Sequence, residues 1–304
     1  MHSDISVLLP VHGKCNYLDS TLSSVYENTL QPLEVLIIND GIEREYFKII
    51  EKYMDKGNLK FIKNQGKGLV SALNTGLFQA KGNYVARIDS DDLMAPNRME
   101  VQRELFKQNS ELVVVGSQCT YINSKSEVTG ESQYPIGIVS NLEKFQKECL
   151  IAHPSTMFRL SIPKSIGGYR SVFTWDGVEI AEDFDFWLRL QKFGQIVNLD
   201  APLTLYRQHS EQLSSKYQKG TQIGTIFIIA INRIENTKIK EINFQNNKCQ
   251  NLFDFLSIIF QNLGFLYTSV LLIDIWMLKL KVYKSNRFIS NIFSYLYKKL
   301  LNNI

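Results

Sequence analysis

The chain opens on a short apolar run, Ile5 to Leu9, rich in branched residues and closed by Pro10, a pattern that predicts a buried strand. Leu18, Leu22, Val25 and Tyr26 then fall at i, i+4, i+7 and i+8, the single apolar stripe of a helix, and Pro32 marks the loop beyond it. Leu33 to Ile38 predicts a second strand, ending in the turn sequence Asn39-Asp40-Gly41. Tyr46, Phe47, Ile49 and Ile50 predict another helix and Leu59 to Ile62 another strand. Gly66-Lys67-Gly68 then opens a helix with Leu69, Ala72, Leu73, Gly76 and Leu77 on one face. Asn83 to Ile88 predicts a strand running directly into Asp89-Ser90-Asp91-Asp92, a helix starts near Pro96, and Leu112 to Gly116 resumes a strand. Strands alternating with helices imply right-handed crossovers and an α/β fold, its sheet mostly parallel and covered on both faces.

From about residue 120 to 180 the pattern turns irregular and polar, the texture of substrate-facing loops. Ala181-Glu182-Asp183-Phe184-Asp185-Phe186-Trp187 then leads a helix that Gly194 ends.

Charge changes the picture more than composition does. Residues 1–215 hold 22 Lys and Arg against 26 Asp and Glu, whereas residues 216–304 hold 12 against 4. The contrast divides the chain into an acidic body, 1–215, and a basic, aromatic-rich helical tail, 216–304, that meets something anionic, phospholipid or nucleic acid. Phe255 to Ile273 carries no charge, but Gln261, Asn262 and Gly264 interrupt it, and Trp276, Lys279, Lys281, Lys284 and Arg287 follow. Those features favour an interfacial anchor on anionic lipid, with no role for nucleic acid; packing against the body or against another copy is the alternative. The cysteines, Cys15, Cys119, Cys149 and Cys249, show no metal-site spacing and read as reduced cytosolic thiols, and Met1 to Pro10 lacks the basic start of a secretory signal. The expected location is the cytoplasm, peripheral on the inner face of the plasma membrane.

In an open parallel sheet, ligands bind beyond the carboxyl ends of the strands. Pro10-Val11-His12, Asn39-Asp40-Gly41 and Asp89-Ser90-Asp91-Asp92 all land there. Asp89 and Asp91 project to one side of an extended segment, where like charges repel unless a cation intervenes, and a hard ion such as Mn2+ or Mg2+ suits them. A turn with a helix cap is the better explanation of an isolated pair of this kind; position at a strand end reverses the preference in favour of the metal. Arg87, one pleat earlier, serves either the site or a sheet-edge ion pair. Gly66-Lys67-Gly68 lacks the spacing of a phosphate loop and reads as a loop near the nucleotide. Glu182 and Asp183 fall in a first helical turn, as caps or as a carboxylate kept ionised for general-base work. His209, in Tyr206-Arg207-Gln208-His209, is a candidate metal ligand, and His153 takes no assigned role.

These residues resemble the bacterial family 2 glycosyltransferases of the GT-A fold, the type that builds O-antigen, capsule and exopolysaccharide. The resemblance spans roughly residues 4–212. It rests on Ser6-Val7-Leu8-Leu9-Pro10-Val11, Glu34 to Gly41, Ala72-Leu73-Asn74, Ala86 to Asp92, His153-Pro154, Gly167-Gly168-Tyr169, Ala181 to Asp185 and Tyr206 to His209. It implies a nucleotide-sugar half over about 1–118 and an acceptor half over 119–215. It further implies that Pro10, Val11 and Asp40 hold the uracil of a UDP-sugar, and that Asp89 faces the ribose or the metal region. Asp91 would bind a metal bridging the diphosphate, His209 would complete that metal site, and Asp183 would be the catalytic base. Asn74, Arg87, Ser90 and Glu182 lie in the matched motifs and are expected beside the nucleotide-sugar. The implied reaction is an inverting, metal-dependent transfer to a hydroxyl of a glycan or lipid-linked acceptor. Two rivals remain: a sugar-phosphate nucleotidyltransferase, which needs a glycine-rich basic loop where this chain has only Gly13-Lys14, and a non-catalytic nucleotide-sugar-binding subunit.

Overall fold

The computed structural model describes residues 3–140 and 149–210, with scattered positions from 212 to 229. Its first four strands are β1 (Ile5–Gly13), β2 (Glu34–Ile42), β3 (Leu59–Lys63) and β4 (Tyr84–Arg87), paired in parallel in the order β3-β2-β1-β4. Alternation along these strands sorts side chains onto two cores. Val7, Leu9, Val35 and Ile37 face α1 (Leu18–Tyr26), α2 (Phe47–Met54) and α4 (Arg98–Gln108). Leu8, Leu36 and Ile38 face α3 (Leu69–Gln79) on the other side. Each such side chain removed from water contributes about 1.5–3 kcal/mol. At Gly76 a Cβ would fall 2.0 Å from a Leu8 methyl, so only glycine lets α3 lie this close to β1.

Pro10 does not end β1; the strand continues to Gly13. Even-numbered residues of β1 aim their backbone groups at β4, where the Leu8 carbonyl accepts the Ile88 N–H, and pairing with β4 stops at Leu8. The N–H that proline lacks therefore falls where β4 has already left the sheet. Asn39-Asp40-Gly41 is likewise the end of β2 as well as a turn. The Asn39 Oδ1 accepts the N–H groups of Gly41 and Ile42 at 2.9 and 3.0 Å, Gly41 has φ +102°, and the register slips between Val11 and Gly13. The helix expected near Pro96 begins at Arg98.

Beyond β4 the sheet becomes mixed. β6 (Leu112–Ile122) outruns its predicted end at Gly116, and β9 (Met157–Arg159) inserts antiparallel between β4 and β6. β12 (Gln195–Arg207) runs parallel to β6, and β5 (Leu93–Met94) pairs antiparallel with its far end. β7 (Val128–Glu131) and β8 (Gly137–Ile138) add to β6 and β12. The segment that read as irregular also holds α5 (Ser161–Ser165) and a separate hairpin, β10 (Thr174–Trp175) with β11 (Val178–Glu179), and it leads into α6 (Glu182–Leu190).

Described positions past residue 215 pack on this body. Ile228 and Ile229 are buried in the α3-side core, Gly220 sits against Trp175, and Gly224 sits against Phe173. Among the described residues no helix is long and apolar enough to cross a membrane. Phe255 to Ile273 and the basic segment after it, read from sequence as a lipid anchor, lie outside the described residues.

Candidate active site

β1, β2 and β4 end side by side, and β4 runs into Asp89-Ser90-Asp91-Asp92. Arg87, 3% exposed on an interior strand, forms a two-pronged ion pair with Asp89, Nη1 lying 2.5 Å from Oδ2 and Nη2 bonding Oδ1. Its pairing is thus within the site and not at a sheet edge. The loop is fastened from both flanks. The Thr21 hydroxyl of α1 donates to the Ser90 carbonyl at 3.0 Å. From β12, the Arg207 backbone N–H donates to Asp92 Oδ1 at 2.8 Å, and its Nε donates to the Asp91 carbonyl at 2.8 Å. Arg207 Nη1 reaches the Asn123 carbonyl and the Ser126 hydroxyl, and its guanidinium lies 4.1 Å from the centre of the Tyr17 ring.

Carboxylate oxygens of Asp89, Asp91 and Asp92 all fall within 4.8 Å of one another. Two residues past β12, His209 brings Nε2 to 2.9 Å from Asp91 Oδ2. The structure therefore joins the two residues that the sequence singles out as metal ligands. Crowding leaves its mark on the neighbours. Burial pushes the Asp89 carboxyl up against the pull of Arg87, with the Asp91 charge adding to the rise. Asp92 is driven far above the ordinary range by burial and then by Asp91 and Asp89. The aspartate cluster, with His209 against Asp91, offers hard oxygen and borderline nitrogen donors, a chemistry that fits Mn2+ or Mg2+.

A second cluster lies against the first. Ala181, at φ +59°, turns the chain sharply so that Glu182 and Asp183 stand at the amino end of α6. Asp183 Oδ1 accepts the Phe184 N–H at 2.7 Å. Burial raises the Asp183 carboxyl while that N–H and Arg87 oppose the rise. Burial and the Asp183 charge push Glu182 up to about 8. His153 faces Glu182 with Nδ1 3.7 Å from Oε1, and its Nε2 lies 2.9 Å from the Tyr169 hydroxyl. Burial, and then Arg87, hold that imidazole well below its usual value, in the neutral form. Asn74 bonds both backbone groups of Tyr169, at 2.8 and 2.9 Å, so its amide braces the Gly167–Tyr169 loop. Asp185 pairs with Arg170 and Arg189.

At the third corner the Asp40 carboxylate accepts the Gly68 N–H at 3.0 Å and the Asn64 amide at 2.6 Å, and His12 Nδ1 lies 2.6 Å from the Asp40 carbonyl. Pro10 and Val11 are buried beside it, with the Val11 side chain in the core under α1 and α2. Gly68, at φ +86°, starts α3 here.

Sequence reasoning missed the brace from Arg207 to Asp92, the His153–Tyr169 pair, and fully buried Arg98, whose Nη2 donates to the carbonyls of Arg87 and Thr156. The first two sit in segments the sequence did single out, yet their partners lie far along the chain. Arg98 gave no signal at all.

Residues 6–167 match the profile of Glycosyl transferase family 2. The O-antigen biosynthesis glycosyltransferase WbnJ of Escherichia coli is 32% identical over 212 residues, covering 68% of this chain and 80% of that protein. Chondroitin synthase of Pasteurella multocida is 25% identical over 245 residues, 79% of this chain but only 24% of that larger protein. The crystal structure of S. aureus TarS 1–349 in complex with UDP-GlcNAc matches 85% of this chain and 73% of its own, with a TM-score of 0.61 at 18% identity, a likeness of fold. The chain belongs to glycosyl transferase family 2, and its mixed, curled sheet flanked by helices is the GT-A fold.

Proposed function

We propose that the protein is an inverting, divalent-metal-dependent enzyme that moves a sugar from a UDP-sugar to a hydroxyl of a glycan or lipid-linked acceptor in bacterial surface polysaccharide synthesis. The observation that carries this reading is the contact of Asp91 with His209 beside Asp89, next to the carboxylate pair of buried Glu182 and half-buried Asp183. The relatives' names favour a polysaccharide product, and the UDP and UDP-GlcNAc bound to TarS favour a UDP-sugar donor.

Asp40, at the end of β2, and the Pro10–Val11 segment form the corner for the uracil. Asp91 and His209 would hold Mn2+ or Mg2+, which would supply Lewis-acid compensation for charge on the leaving diphosphate. Asp183 takes the proton from the attacking acceptor hydroxyl. Glu182, held up to about 8 by burial and by the Asp183 charge, favours its protonated form at neutral pH, which lessens like-charge repulsion against the base. Arg87 holds Asp89 in place and supplies positive charge beside both clusters. One base and no enzymic nucleophile give a single displacement with inversion at the anomeric carbon. The basic tail carries the body to a membrane surface where a lipid-linked acceptor resides.

The test is a screen of UDP-sugars for UDP release with Mn2+, with Mg2+ and with chelator, paired with calorimetry of metal and UDP together. Metal-dependent UDP release supports the reading. A protein that neither binds UDP with metal nor releases it from any donor overturns it.

A further inference from the structure

A cavity of about 690 Å³ runs along the outer flank of α3, and none of Asp89, Asp91, Asp92, Glu182 or Asp183 lines it. Its walls are α3 on one side and the loop of Gly167 to Val172 on the other, with Lys67 and Glu179 at the amino end of the helix and Phe78 towards the other end. Val70 to Phe78 is about 12 Å of helix, and a volume of this size is typical of a small-molecule site.

The floor is rigid, because its polar groups are already tied. Ser71 and Thr75 donate to Asn64, and the Asn74 amide holds the Tyr169 backbone. Other groups are open. The exposed Gln65 and Lys67 side chains have no hydrogen-bond partner among the described residues, whereas the unpartnered Ser171 Oγ is closed off from solvent and so from the cavity. Phe78 is 51% exposed on a helix whose Val70, Leu73 and Leu77 are buried. A free amide, a free ammonium and an open aromatic ring suit a ligand that offers both hydroxyls and C–H faces, which is a carbohydrate.

The same cavity is ill suited to the diphosphate of a donor. Backbone N–H groups at the amino end of α3 would draw a phosphate, but the Asp40 carboxylate takes that of Gly68 and the Glu179 carboxylate takes that of Val70, at 3.0 Å each. A diphosphate there would meet two carboxylates. Tyr169 forms part of the wall and its hydroxyl bonds His153, which faces Glu182, so the cavity flanks the catalytic cluster without entering it.

We propose that this cleft holds sugar units of the acceptor glycan remote from the unit that reacts, so that the enzyme grips an extended chain and not a single sugar. The inference rests on Asp183 and Asp91 marking the reacting centre.

The test is saturation-transfer NMR of the full chain with cellohexaose, chitohexaose and hyaluronan hexasaccharide, before and after saturation with UDP and Mn2+, for the native protein and for Phe78→Ala and Gln65→Ala. At least one hexasaccharide binds, UDP does not displace it, and Phe78→Ala weakens it about tenfold while UDP affinity stays unchanged. Displacement of the sugar by UDP assigns the cleft to the donor and overturns the proposal. So does the absence of binding by all three probes, or binding that neither substitution alters. Failure of the catalytic assignment shows separately, as turnover retained by Asp183→Asn, and leaves the NMR readout untouched.

Discussion

Asp91 and His209 stand 118 positions apart in the chain, yet Oδ2 of the carboxylate lies 2.9 Å from Nε2 of the imidazole. One sits where β4 has just ended and the other just past β12, and Arg207 ties these two ends together through the Asp91 carbonyl and the Asp92 carboxylate. His209 is partly exposed, so its loss leaves the core intact. His209→Ala should weaken Mn2+-supported UDP binding roughly 10²-fold with no change in melting temperature, read by calorimetry and thermal denaturation.

On the proposed reading Asp183 is the base, so Asp183→Asn removes that proton acceptor and keeps the shape. Turnover should fall by about 10²–10⁴ while UDP affinity in the presence of metal holds, measured as UDP release and by calorimetry. Turnover near the native level in a folded Asp183→Asn protein would assign the base elsewhere.

Glu182 links stability to pH. Its folded-state value of about 8 lies above the ordinary 4.5, so the folded protein prefers the protonated form. The stability from that preference is whole below pH 4.5 and is lost as pH rises through about 8. Glu182→Gln carries no charge at any pH. Its melting temperature should exceed that of the native protein above about pH 8, with the difference shrinking towards pH 5.

Arg207 bridges one carbonyl of the Asp loop, the Asn123 carbonyl and the Ser126 hydroxyl while lying on Tyr17. An ammonium cannot span those positions. Arg207→Lys should cost about 2 kcal/mol of stability by denaturant titration and weaken metal-supported UDP binding as well, because the loop loses its brace.

What the sequence disclosed follows from how each residue meets its neighbours. Ile5 to Leu9, Leu33 to Ile38 and Asn83 to Ile88 read as strands because burial on both faces makes them nearly all apolar, broken only by Ser6, Glu34, Asn83 and Arg87. β12 did not, since Asp200, Ala201 and Pro202 are exposed at a register slip that breaks its alternation, and β9 is only three residues long. The carboxylates at the end of β4 were legible by position alone. Their braces were not: Arg207, His153 and Arg98 act on backbone groups or on side chains from distant segments, and no local spacing encodes such contacts.

Gly220 and Gly224 lie one helical turn apart, and a Cβ on either would come within 3 Å of Trp175 or Phe173. Those aromatic residues belong to the segment that leads through Ala181 into Glu182 and Asp183. Severing the chain at the charge boundary near residue 215 would strip this cover and leave Phe173 and Trp175 bare. A fragment that keeps the cover over the segment leading to Glu182 and Asp183 has to reach at least Ile229.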